Sequence, residues 1–159
     1  MSQLAFFQLG EFTPLPTTQA KELVSIAKSA PYGRGEETVF DDTVRKCWQI
    51  DASRLSFKSP QWKNFLQQTI HRLGEDLGIQ SKISAHPYKL LLYGKGGHFK
   101  AHRDTEKLDA MFGTLIIALP SAHEGGRLLI RHDGRGIEVD FSHPEHRHEF
   151  QHAAFFCRL

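Results

Sequence analysis

The sequence predicts an α+β fold in which two helices precede a partial jelly roll, that is, a partial double-stranded β-helix built from antiparallel strands. Apolar residues recur at helical spacing in two stretches of the first half, whereas short apolar runs separated by turn residues fill the second half. A chain of 159 residues suits one domain. We expect residues 1–80 to form a helical support region and residues 85–159 to supply the jelly-roll strands.

Composition restricts the classes of function. The net charge of +2, without any block of Lys or Arg, gives no reason to expect a nucleic-acid partner. No run of 18 apolar residues occurs, so we expect no membrane span. Two cysteines make no disulfide framework, and the first residues lack the features of a signal peptide, so a cytoplasmic location is predicted.

The first helix is expected over residues 18–29, where Ala20, Leu23, Val24 and Ala27 form an apolar stripe that Pro31 ends. Residues 1–16 have the pattern of an edge strand and a proline-rich turn. Tyr32–Thr38 is predicted to be a loop, and a strand is expected around residues 47–50.

The second helix has the clearest local signals. Ser59 is a good N-cap, Pro60 suits the first helical position, and Gly78 suits the residue just beyond the end. Between Pro60 and Gly78 one face of the expected helix is apolar and should pack on the sheet. The residues of this face are Trp62, Phe65, Leu66, Thr69, Ile70, Leu73 and Leu77.

From Lys89 onward every apolar run predicts a strand. Residues 113–119, 126–132 and 152–156 are such runs, and Asp133-Gly134 is a hairpin signal. Ile137, Val139 and Phe141 alternate with acidic residues, which is typical of a half-buried strand.

Residues 88–126 contain the side chains that are expected to bind a metal ion. A strand, residues 89–93, leads into a glycine turn at 94–97, and a second strand is expected to carry His102 and Asp104. Residues two apart on a strand point to one face, with Cα atoms about 6.6 Å apart. An imidazole and a carboxylate in that arrangement can bind one metal ion, as in the two-His-one-carboxylate site of non-haem Fe(II) oxygenases.

The sequence YGKGGHFKAHRD, from Tyr93 to Asp104, resembles the segment that opens the metal site in prolyl 4-hydroxylase-like Fe(II)/2-oxoglutarate dioxygenases. The later SAHEGGRLLI, residues 121–130, is similar to a strand of the same superfamily. The resemblance implies that His102 and Asp104 bind Fe(II) and that Tyr93 or Tyr88 hydrogen-bonds 2-oxoglutarate. It also implies an unidentified protein or small-molecule substrate, with ascorbate as a further candidate cofactor.

In that superfamily a second histidine follows the last apolar strand, here residues 152–156, by several residues, and an Arg or Lys lies further on. This sequence stops three residues after that strand, at Leu159, so both residues are absent where the resemblance places them. The domain is therefore expected to be C-terminally incomplete, with weak iron binding and no turnover. Histidines that could replace the third ligand lie nearby. They are His132, His143, His146, His148 and His152.

Two rival interpretations remain. The first is a non-catalytic, degenerate oxygenase fold that acts as a binding module. The second is a zinc metallopeptidase, because residues 148–152 spell H-E-x-x-H, in which His148 and His152 would bind zinc beside Glu149. That mechanism needs a helix, whereas the apolar run that follows predicts a strand.

Overall fold

The computed structural model describes residues 17–35, 37–56, 60–103, 106–132, 134–146 and 148–156. The predicted edge strand at residues 1–16 and the predicted N-cap Ser59 lie outside these ranges. Within these ranges there are two α-helices, α1 at Thr17–Ile26 and α2 at Pro60–Asp76, together with 3₁₀ turns at Ala52–Arg54 and Pro144–His146. The strands are β1 Lys28–Ser29, β2 Tyr32–Arg34, β3 Glu37–Val39, β4 Arg45–Lys46, β5 Trp48–Asp51, β6 Lys89–Leu92, β7 His98–Phe99, β8 Gly113–Ala118, β9 Leu128–His132, β10 Arg135–Val139 and β11 Gln151–Phe156.

All strand pairs are antiparallel. The largest sheet has the order β1-β5-β6, and the remaining strands pair as β2 with β3, β4 with β7, β8 with β11 and β9 with β10. The predicted α+β class is therefore confirmed. Within the residues that the structure describes, the sheets are small and do not close into a barrel.

Helix α2 follows the sequence signals closely. It begins at Pro60, and Gly78 adopts φ 64°, a left-handed conformation that a side chain would strain. The amides of Gly78 and Ile79 donate to the carbonyls of Glu75 and Gly74, at 3.1 and 2.8 Å. These two bonds are the Schellman arrangement, which satisfies carbonyl groups that the helix end leaves without partners.

The main apolar cluster lies between α2 and β8, as the apolar face of the helix predicts. Trp62 and Ile117 are its buried centre, and the Trp62 ring meets Phe150 edge-on with centroids 5.6 Å apart. Burial of these large side chains is the main source of stability in this part of the chain. The partly buried residues packed around the centre are Leu55, Phe65, Leu66, Leu115, Leu119 and Phe150.

Three local predictions were wrong. Helix α1 ends at Ile26 instead of residue 29, because Lys28 and Ser29 pair with Gln49 and Trp48 of β5. The predicted loop at 32–38 contains the paired strands β2 and β3. Ile137 of β10 is 64% exposed, so this strand is not half-buried as its alternation suggested. No helix among the described residues is long and apolar enough to cross a membrane.

Candidate functional site

A tight glycine turn sets the geometry of the candidate site. It joins β6 to β7, and the Gly97 amide donates to the Gly94 carbonyl at 2.8 Å. A Cβ atom at Gly97 would lie 2.8 Å from that carbonyl oxygen and 3.1 Å from the Lys46 carbonyl oxygen. Both neighbours are backbone atoms, so only glycine lets β7 approach β4 at this point.

The pairing of β4 with β7 brings two side chains to one face of the ladder. Arg45 is the cross-strand partner of Phe99, and its guanidinium carbon lies 4.2 Å from the centre of the Phe99 ring. This is a cation–π contact. The same ring stacks on the imidazole of His102, with centroids 3.6 Å apart and an interplanar angle of 20°. Phe99 therefore connects Arg45 to the predicted metal ligand.

His102 has features that suit a metal ligand. Its Nδ1 lies 2.8 Å from the carbonyl oxygen of Lys100, which can only accept, so Nδ1 carries the proton and the lone pair is on Nε2. Ligand histidines usually have their second nitrogen held in this way. Partial burial of the imidazole lowers the pKa of His102 below its ordinary value, although the residue as a whole is exposed, and the lowered pKa favours the neutral form that metals bind.

The strand predicted to carry His102 and Asp104 is shorter than expected. Strand β7 ends at Phe99, and His102 lies in an irregular segment, because pairing with β4 stops after two residues. The alternation argument for a shared face therefore does not apply. Asp104 lies outside the described residues. Within the described parts of the chain, which omit Asp104, no three His, Cys, Asp or Glu side chains converge as a metal site.

The two predicted 2-oxoglutarate ligands lie at opposite ends of β6. Tyr93 follows the strand, and its hydroxyl lies beside the thiol of Cys47 and the guanidinium of Arg45. Burial of this hydroxyl and the neighbouring thiol raise the pKa of Tyr93, although the residue as a whole keeps 42% of its surface exposed. Tyr88 precedes β6, where the Lys89 ammonium lies 4.8 Å from its ring centre.

Sequence reasoning missed Arg45. It is 4% exposed, and its Nε and Nη1 atoms donate to the sulfur of Cys47 at 3.3 Å and to the carbonyl of Pro31 at 2.7 Å. A weak signal was present, because Arg45 and Cys47 alternate with exposed Lys46, which places arginine on the inward side of the segment. We call Arg45, Cys47, Tyr93, Phe99 and His102 the Arg45 cluster.

The H-E-x-x-H segment does not form the helix that a zinc peptidase requires. His148 and Glu149 lie in a turn and bend, and Gln151 and His152 belong to β11. The two histidines therefore lack the helical i, i+4 relationship. Partial burial of the imidazole lowers the pKa of His152, although the residue as a whole is exposed, and its ring meets that of Phe65 edge-on with centroids 6.1 Å apart. His152 is thus placed against α2, and the peptidase interpretation is wrong on conformation.

The comparisons with known proteins found no relatives. No protein-family model matches the sequence, and neither a curated protein nor a solved structure is similar to it. The side chains of the Arg45 cluster and the resemblance of residues 93–104 are therefore the features that bear on function.

Proposed function

We propose that the chain is an Fe(II)/2-oxoglutarate dioxygenase-like domain in which His102 and Asp104 bind the metal and Tyr93 contacts 2-oxoglutarate. The observation that carries this proposal is the state of His102. Its Nδ1 lies 2.8 Å from the Lys100 carbonyl oxygen, which in the neutral ring places the lone pair on Nε2, and its lowered pKa favours that neutral form. That is the form in which histidine binds Fe(II).

His102 and Asp104 are chemically suited to bind Fe(II). Imidazole and carboxylate are ligands that suit non-haem Fe(II), and two of them leave positions for a bidentate 2-oxo acid and O₂. Bound Fe(II), with 2-oxoglutarate and O₂, supplies the oxidising power for hydroxylation of a C–H bond. The expected substrate is an unidentified protein or small molecule, and ascorbate is a candidate for keeping the iron reduced.

The chain's own residues would orient and shield these groups. The ring of Phe99 covers one face of His102, which restricts the imidazole and excludes water from that side. The raised pKa of Tyr93 keeps its phenol protonated, so its hydroxyl donates a hydrogen bond to a carboxylate at all physiological pH values. In this proposal the antiparallel pairs β8–β11 and β9–β10 are parts of a jelly roll.

Metal binding is the direct test. The full chain would be titrated with Mn(II), a redox-stable substitute for Fe(II), and bound metal followed by electron paramagnetic resonance. We expect His102→Ala and Asp104→Ala each to weaken Mn(II) binding at least about tenfold, since each removes one of two assigned ligands. His86→Ala, which removes an exposed imidazole, is the matched control and should bind as wild type. Equal affinities in all four proteins would refute the proposal.

A non-catalytic binding module is the second candidate, and one observation favours it. Leu129 and Ile137, on the two strands of the β9–β10 hairpin, are 56% and 64% exposed. Leu129 is paired with Glu138 and Ile137 with Ile130, so the two side chains lie on opposite faces of the hairpin and each face offers one exposed apolar contact to a partner protein. This candidate predicts that His102→Ala changes the unfolding free energy by no more than about 1 kcal/mol and leaves metal binding unaltered.

A further inference from the structure

One face of the β4–β7 ladder is basic and open to solvent. Lys46 of β4 and His98 of β7 are cross-strand partners, and both are exposed. Lys100 is also exposed and extends this pairing, because its amide donates to the Val44 carbonyl at 2.9 Å. Side chains alternate between the two faces of a strand, so these three side chains lie on the side of the ladder opposite to Phe99.

The glycine turn between β6 and β7 adds a further cation to this face. Lys95 lies at the exposed tip of the turn, and the Lys46 ammonium reaches over it, 4.0 Å from the position that a Cβ atom at Gly96 would occupy. Lys46 and Lys100 are diagonal neighbours on the ladder, a relationship that sets such residues about 7–8 Å apart. We call this set of side chains the basic face. It comprises Lys46, Lys95, His98 and Lys100.

Backbone contacts fix the frame that carries the basic face. The imidazole of His98 lies between two carbonyl oxygens, with Nδ1 3.1 Å from that of Gly96 and Nε2 3.2 Å from that of Thr43. Whichever ring nitrogen carries the proton, a hydrogen bond therefore joins β7 to one of the two adjoining turns. The Arg45 amide closes the second turn by donating to the Asp41 carbonyl at 2.9 Å. A frame that is set before a partner arrives lowers the cost of ordering the surface on binding.

The cations of the basic face have no acidic partner among the described residues. No carboxylate in those parts of the chain forms an ion pair with Lys46, Lys95 or Lys100. The Asp41 carboxylate instead accepts hydrogen bonds from the amide and the hydroxyl of Thr43, at 2.8 and 2.7 Å. These bonds, and to a smaller degree Lys100, lower the pKa of Asp41. Cross-strand neighbours of like charge repel each other, and an anionic partner would relieve that repulsion.

We propose that the basic face binds an acidic, extended polypeptide segment with carboxylates at alternate residues. Residues i and i+2 of an extended chain are about 6.6 Å apart, which matches the separation of about 7–8 Å between Lys46 and Lys100. A compact anion such as phosphate needs donors that converge on it, whereas these ammonium groups are spread over an open face. Single-stranded nucleic acid also needs aromatic side chains on which its bases stack, and Phe99 lies on the opposite face, against Arg45.

Binding of a model peptide tests the proposal. Metal-free full-length protein would be titrated into a dye-labelled peptide of alternating Glu and Ser, and binding followed by fluorescence anisotropy. A peptide of alternating Gln and Ser, equal in length, is the control and should bind at least about tenfold more weakly, because several exposed ion pairs each strengthen binding a few-fold. Raising the salt from about 0.05 to about 0.3 M should weaken binding of the Glu peptide several-fold, since exposed charges are screened.

Matched variants locate the binding surface. Lys46→Gln and Lys100→Gln should each weaken binding of the Glu peptide about two- to fivefold, and the double variant about tenfold, the scale of exposed ion pairs. Lys63→Gln removes the same charge from an exposed position of α2 and should bind as wild type. All three side chains are exposed, so we expect each variant to fold, and circular dichroism checks this.

Three results would overturn the proposal. The first is equal binding of the Glu and Gln peptides by wild type, and the second is wild-type affinity for the Glu peptide in the double variant. The third is tighter binding of a single-stranded oligothymidine, equal in length, than of the Glu peptide. The protein is metal-free and no substituted residue is an assigned metal ligand. The basic face can therefore be confirmed or refuted independently of the Mn(II) titration.

Discussion

The imidazole of His102 stacks on the ring of Phe99 with centroids 3.6 Å apart. Phe99 is fixed in turn by its cross-strand pairing with Arg45, whose guanidinium lies 4.2 Å from the same ring centre. One aromatic side chain thus links a strand from the first third of the chain to the predicted metal ligand. This relationship explains how His102 is oriented although it lies outside any strand.

Replacing Phe99 should change the titration of His102. Burial lowers the pKa of His102, and the Phe99 ring supplies part of that burial, so Phe99→Leu should raise this pKa toward the ordinary value of 6.5. Histidine proton resonances followed by NMR across a pH series measure the shift. Phe156→Leu, at an exposed ring far along the chain, should leave the titration of His102 unaltered. An unmoved midpoint in Phe99→Leu would contradict the assigned contact.

The packing of α2 on β8 predicts a large difference between two isoleucines. Ile117 is 1% exposed and belongs to the Trp62 cluster, so Ile117→Ala should lower the unfolding free energy by about 2–5 kcal/mol. The same change at the exposed Ile137 should cost less than about 0.5 kcal/mol. Urea unfolding measured by circular dichroism compares the two. Similar losses for both variants would argue against this core.

The turn at Gly97 should not accept alanine. The added Cβ would meet backbone oxygens of Gly94 and Lys46 within 3.1 Å, so Gly97→Ala should destabilise the fold by about 1–3 kcal/mol. Gly33→Ala is the control, because no atom lies within 4 Å of the Cβ position there. Thermal unfolding of the two variants gives the comparison, and a wild-type midpoint for Gly97→Ala would show that the turn is looser than described.

The stability of the chain should fall as the pH drops below about 6.5, the ordinary pKa of histidine. Burial and then Arg72 lower the pKa of His152, while Asp76 opposes the shift. Between the ordinary and the lowered pKa the unfolded state binds more protons than the folded state, so acidification favours unfolding there. His102 has a pKa lowered in the same direction and adds to the effect.

His152→Gln removes one of these two contributions. Denaturant unfolding at a series of pH values between 7.5 and about 5 should therefore show a shallower decline for this variant than for wild type. His86→Gln, which removes an exposed imidazole, is the comparison and should follow wild type. A decline of equal steepness in His152→Gln would show that burial does not suppress protonation of His152.

Elements specified by local chemistry were predictable from the sequence. Pro60 and Gly78 mark the two ends of α2, and the apolar run 113–119 becomes β8. Short strands were not predictable, because their ends depend on partners distant in sequence. Lys28–Ser29 continues a helical pattern yet pairs with β5, and the glycine-rich segment at 32–38 becomes a hairpin.

The candidate site was predictable only in part for the same reason. The two-residue spacing of His102 and Asp104, together with the glycine turn before them, identified the segment. Tyr93 was identified through the resemblance to a known family. Arg45 enters the site through the pairing of β4 with β7, which spans more than fifty residues of sequence. The only sequence signal for Arg45 is its alternation with Lys46 and Cys47, and three residues are too few to predict that an arginine is buried.

The β9–β10 hairpin offers a practical use. Its strands expose side chains on both faces, and Gly134 at its tip adopts φ 75° with open space around it. Loop tips of this kind accept inserted residues most readily. A short epitope or a fluorophore-labelling sequence placed at Gly134 would mark the folded protein without disturbing the helix–sheet core.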